Sequence, residues 1–261
     1  MTVRCCFLHG INNEGRSEAG IKAAWSRHIN AAHGISLSAS ETNAPYYGDL
    51  LDESTDRFSK GIETARTTST EERERLGISP VRAGLYSSFS GFRIEPINLG
   101  AIGKAIIGDI LGNSENVAVE RILEQAGVYF GDAGLRNHIR QMVVRDLQLS
   151  RPDVVIAHSL GSVVAIDALR SVNVNIPSLI TIGSPLGSRR IAGLLGGTRQ
   201  KPRRLGMWYD LRNNNDWVAS AGGAAKIWHP VEDHSGVLSS VHNHSVKLYL
   251  SQPLVGKVLG A

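Results

Sequence analysis

Residues 154–169, VVIAHSLGSVVAIDAL, constrain the fold of this chain more than any other stretch. A short, unbroken apolar run ends at Ala157. The polar turn His158-Ser159 follows, and Leu160-Gly161 leads into an apolar helical pattern. A strand without alternation is buried on both faces, which is the signature of a parallel sheet covered by helices. The same kind of run recurs. Residues 3–8 end at His9-Gly10, residues 179–182 at Gly183-Ser184-Pro185, and residues 205–211 lead to Asn213-Asn214-Asn215-Asp216. Residues 39–47 leave room for a further strand. Helical spacing occupies residues 21–32, 117–149 with a break near Gly131-Asp132-Ala133-Gly134, and 244–259 with an interruption at Pro253. Buried strands separated by helices predict an α/β fold with a mostly parallel central sheet and helices on both faces.

A chain of 261 residues fits one such domain, 1–261, carrying an insertion. The insertion is expected at about 50–115, where strand–helix alternation fades. It begins polar, with a capping-box spacing at Ser69 and Glu72, and turns apolar and glycine-rich after Pro80. Two readings stand side by side, a segment packed on the core and a mobile lid over the site. The net charge of +4 is mild and not gathered into one block, so nucleic acid is not expected as a partner. Arg189-Arg190 and Arg203-Arg204 read as solvated loop surface. Cys5 and Cys6 are adjacent, so on a strand they face opposite ways and do not bridge. Unbridged thiols, no signal-peptide pattern and no apolar run long enough for a bilayer predict a cytoplasmic protein without a transmembrane segment.

Ser159 sits where a strand passes into a helix, with the small residues Ala157 and Gly161 two positions away on either side. A serine hydroxyl needs a base and an oxyanion pocket to act as a nucleophile, and a sharp strand-to-helix turn exposes it to both. Together with His9-Gly10 at the end of the first strand, this pattern resembles the α/β-hydrolase superfamily, and within it bacterial lipase- and esterase-like serine hydrolases. The usual first glycine of the nucleophile motif is Ala157 here. The resemblance implies a chain order of Ser, Asp, His. It assigns the nucleophile to Ser159, the acid to Asp216 in the loop beyond a late strand, and the base to His244 ahead of the last helical run. Asp210 and His242 are the rivals, disfavoured by placement. The resemblance further implies an oxyanion hole from the N–H groups of Ile11 and Leu160, with His9, Gly10, His158 and Gly161 shaping the site.

The function so implied is cleavage of a carboxylic ester, with an acyl ester or lipid-like small molecule as substrate. A thioesterase, phospholipase or peptidase would use the same three residues. The rival from another class is a non-catalytic binding module on the same fold. His242-Asn243-His244 offers two metal ligands, but no cysteine or carboxylate framework completes a zinc site, so neither metal nor cofactor is expected. Nothing in the sequence specifies an oligomeric state.

Overall fold

The computed structural model describes residues 3–10, 13, 15–53, 125–236, 238 and 244–260. The expected insertion lies outside the described residues from 54 onward, including the Ser69–Glu72 box. So do Ile11 and His242.

Six strands form the sheet: β1 (Cys5–Leu8), β2 (Thr42–Asn43), β3 (Val154–His158), β4 (Ile176–Ile182), β5 (Leu205–Asn213) and β6 (Glu232–Gly236). All neighbours are parallel, in the order β2-β1-β3-β4-β5-β6. The fold is therefore α/β, as the unalternated strands predict. Parallel neighbours require crossovers. Helices α1 (Glu18–His33), α2 (Ala133–Ser150), α3 (Leu160–Leu169) and α4 (Arg189–Leu195) lie between strands, and α5 (Val246–Leu250) and α6 (Pro253–Leu259) follow the last one.

Strand side chains divide between two cores because successive residues point to opposite faces. Cys6, Leu8, Val155, Ala157, Leu179 and Trp208 join α2, α3 and α4 on one face. Cys5, Phe7, Val154, Ile156, Ile180 and Leu211 join α1, α5 and α6 on the other. The two thiols are free and buried on opposite faces. Every residue of α3 is buried, which explains why its sequence is apolar all round rather than striped.

Local signals explain the helix ends. Ser17 caps α1 through a bond from Gly20 N–H, and Gly34 closes it with a positive φ of 70°. The break expected near residues 131–134 is a real boundary. A helical segment at 125–131 ends there, and Asp132 caps α2 by accepting from Leu135 N–H. Pro253 is the first residue of α6, where its missing N–H costs nothing.

Some expectations shift. The strand sought at 39–47 is only Thr42–Asn43, and helix begins again at residue 48. Arg189-Arg190 is not loop: the pair opens α4, behind a Ser188 cap, and is exposed there. β6 was not foreseen. Its sequence EDHSG carries no apolar run because it is an edge strand, paired only with β5.

The strand order places the site. The chain moves from β1 outward to β2, then crosses back to β3 on the other side of β1. Connections leave the carboxyl ends of β1 and β3 in opposite directions, which opens a crevice at that point, the usual ligand position in an open α/β sheet. His9-Gly10 and His158-Ser159 lie at those two ends.

Candidate active site

The site is built from the carboxyl ends of four strands. Ser159 stands between β3 and α3 with φ 54° and ψ −128°, a conformation that L-residues rarely hold. Such backbone costs about 1–3 kcal/mol and persists only where the surroundings enforce it. Here Ser159 N–H donates to Ile182 O at 3.0 Å, and Ser162 Oγ donates to Ser159 O at 2.5 Å. Ser184 Oγ in turn lies 2.8 Å from Ser162 Oγ, linking the turn to the end of β4.

The small residues around Ser159 are required by contact. A Cβ on Gly161 would lie 2.3 Å from Leu8 O and 2.6 Å from His9 O. One on Gly10 would lie 2.7 Å from Ser159 Cβ and 3.1 Å from His158 O. The loop after β1 therefore runs directly against the turn after β3, and glycine alone permits that approach at both places.

His9 holds the β1 loop in shape. Its ring stacks on Tyr47 with centroids 4.1 Å apart. His9 Nε2 accepts from Tyr47 N–H at 3.3 Å, which leaves the proton on Nδ1, and Nδ1 donates to Gly10 O at 2.7 Å. Asn13 Nδ2 donates to the same carbonyl at 3.0 Å. Burial pushes the imidazole down to about 4, so this tautomer stays neutral.

Asp216 lies beyond β5, and its side chain is enclosed. Its carboxylate accepts Val218 N–H on Oδ1 at 2.9 Å and the Tyr249 hydroxyl on Oδ2 at 2.5 Å. His244 Nδ1 meets both oxygens, at 3.0 and 2.8 Å. The asparagines ahead of Asp216 build the loop. Asn213 Oδ1 accepts from Asn215 N–H and Leu238 N–H, and Asn213 O accepts from Asp216 N–H. Gly183, with φ 54°, lets the end of β4 pass beneath the pair. A Cβ there would lie 2.9 Å from Asp216 Oδ2 and 3.2 Å from His244 Cε1.

Asp210 is turned elsewhere. Thr181 Oγ1 donates to it at 2.5 Å and Ala224 N–H at 2.8 Å. Of the two candidate acids, the structure brings Asp216 and not Asp210 to His244.

The expected hydrogen-bonded line is present at its carboxylate end and open at its hydroxyl end. His244 Nε2 is buried and has no hydrogen-bond partner among the described residues, Ser159 Oγ included. His158, beside Ser159 in sequence, packs its ring 4.6 Å from that of His244. Burial, and then the charge of His244, hold the His158 imidazole well below its ordinary range. It is a neutral packing partner of His244 rather than a rival base. Trp217 lies against the same imidazole, with ring centroids 5.5 Å apart.

Leu160 is the first residue of α3, and the first-turn N–H groups of a helix have no partner within it. Ile11 lies outside the described residues. Among the described residues, no three His, Cys, Asp or Glu side chains are grouped to hold a metal ion, and no helix is long and apolar enough to cross a membrane. Sequence reasoning assigned no role to Tyr47 or Trp217, and met Tyr249 only as the tyrosine of a His-Ser-x-x-x-Tyr-Leu pattern that favours His244. Each looks like an ordinary core aromatic until its partner is known.

The chain matches no protein-family model, no curated protein and no solved structure. The chemistry therefore rests on geometry. A hydroxyl on a strained turn, with its neighbour His158 packed on an imidazole that is tied to a buried carboxylate, is an arrangement suited to nucleophilic attack with proton transfer.

Proposed function

We propose that the protein is a serine hydrolase of the α/β-hydrolase kind, cleaving carboxylic esters through Ser159, His244 and Asp216. The observation that carries this reading is the pairing of buried Asp216 with His244, whose ring packs on His158 next to the strained Ser159. The chain order Ser, Asp, His and the strand-to-helix nucleophile turn support it.

In this scheme His244 Nε2 takes the Ser159 proton as Oγ attacks the ester carbonyl carbon. The tetrahedral oxyanion is held by the N–H groups of Leu160 and Ile11, the latter assigned by resemblance. Collapse breaks the acyl–oxygen bond, and the leaving alkoxide takes the proton from His244. Water then attacks the acyl-serine, giving its proton to His244, and the acid product leaves as Ser159 recovers its hydrogen. Asp216 keeps the imidazole in the Nδ1–H tautomer and stabilises its protonated form. Free, buried thiols fit a reducing, cytoplasmic setting. A small acyl ester or lipid-like molecule is the proposed substrate.

A fluorophosphonate probe tests the nucleophile. Wild-type protein should label, Ser159→Ala should not, and Asp216→Asn should lower ester turnover by roughly 10⁴-fold while retaining the fold. Labelling that survives Ser159→Ala would sink the assignment. A wild-type protein that never labels would point to a binding module instead. Esters, thioesters and amides of graded chain length then separate esterase from thioesterase, phospholipase and peptidase.

A further inference from the structure

Tyr249 lies on α5, in the same short segment as His244, and its side chain is fully buried. Its hydroxyl has two partners of opposite kind. It accepts from Asn213 N–H at 3.1 Å and donates to Asp216 Oδ2 at 2.5 Å. A phenol has one proton, and the amide can only donate. The proton is therefore directed at the carboxylate. Oδ2 is shared between this phenol and His244 Nδ1.

We propose that Tyr249 is a positioning residue that moderates the basicity of His244 through Asp216. The inference rests on the reading of Asp216 and His244 as acid and base. A short hydrogen bond to a carboxylate is charge-assisted and draws negative charge toward the donor. Less of that charge then faces the imidazole, so His244 holds a proton less tightly than it would against an unclamped aspartate. The phenol also fixes which way Oδ2 points, and through Asn213 it ties that choice to the end of β5.

His158 faces His244 at 4.6 Å and Tyr249 at 6.2 Å, and burial keeps it neutral. His9 acts on His158, and burial keeps it neutral as well. Asp210 acts on Tyr249 but bonds to Thr181 and Ala224.

The test is a pH–rate profile of kcat/KM for wild type, Tyr249→Phe, and protein carrying 3-fluorotyrosine at position 249. The acid limb reports protonation of the base. Tyr249→Phe should move it up by about half a pH unit or more. The fluorinated phenol is a stronger donor with the same shape, so it should move the limb down even if the Phe variant folds poorly. A merely structural Tyr249 would lower the melting temperature and leave both limbs in place, and that result overturns the proposal. The His244 imidazole proton, titrated by NMR without substrate, separates the two readings. A titration that moves in a protein that cleaves no ester keeps the proposal and defeats the hydrolase reading. Ester cleavage with an unmoved titration does the reverse.

Discussion

Ser159 shows how one residue can be forced into a costly conformation by neighbours that look unremarkable in sequence. Ile182 O and Ser162 Oγ hold its backbone, and Gly161 lets α3 approach the end of β1. A Cβ at Gly161 would meet backbone rather than a movable side chain, so the strand and helix themselves must shift. Gly161→Ala should therefore cost about 1–3 kcal/mol in a urea melt. It should also reduce fluorophosphonate labelling, because the turn carrying Ser159 moves with the helix. Unchanged stability and labelling would show that the β1–α3 contact relaxes freely. Ala157, at the other small position, lies in β3 with no exposure, so its methyl is accommodated in the core.

At the scale of elements, α2 and α3 are joined by a polar cluster inside an apolar interface. Arg136 Nε donates to Asp167 Oδ2 at 2.7 Å, and its Nη2 to Oδ1 at 3.0 Å. The Tyr129 hydroxyl adds a bond at 3.0 Å, and Arg136 also reaches Leu194 O. Asp167 is otherwise a carboxylate on a fully buried helix. Arg136→Ala leaves that charge with the Tyr129 hydroxyl but no guanidinium, and should cost about 3 kcal/mol in chemical unfolding. Arg136→Met with Asp167→Leu should recover most of the loss, since no buried charge then remains. A single variant as stable as wild type would mean that the pair contributes nothing. Element by element, legibility followed local signal. The break near residues 131–134 and the interruption at Pro253 were readable because both are short-range chemistry. β6 was not, because an edge strand of polar residues has no periodicity to detect.

For the molecule as a whole, pH acts through groups that the sheet buries. Desolvation raises the Asp210 carboxyl from its ordinary value to about 7, against the opposing bonds from Thr181 and Ala224. A carboxyl raised on folding favours the fold at low pH. Its contribution is intact below about 3.8 and is lost as pH rises toward about 7. Asp210→Asn should therefore gain on wild type across that window, by at most about 4 kcal/mol, and hold a constant advantage above it. Urea midpoints at pH 4, 6 and 8 measure the difference. An advantage that does not grow with pH would show that Asp210 ionises as freely folded as unfolded. His9 works in the opposite sense. Burial lowers it to about 4, so its contribution is intact above about 6.5 and is lost as pH falls toward about 4.

The sequence by itself determined the fold class, most of the strands and the position of the strand-to-helix turn. These follow from apolar runs, helical spacing and turn residues, all of which act within a few positions along the chain. Residue patterns and a family resemblance also nominated Ser159, Asp216 and His244. Only the tertiary structure decided the strand order that brings β1 beside β3, and which of Asp210 and Asp216 faces the imidazole. It alone gave Tyr249 a carboxylate to hold. Those outcomes depend on where the crossovers carry distant residues, and no local pattern encodes that. Both aspartates follow from the same strand, yet the sheet turns one into the core and the loop beyond it delivers the other to His244.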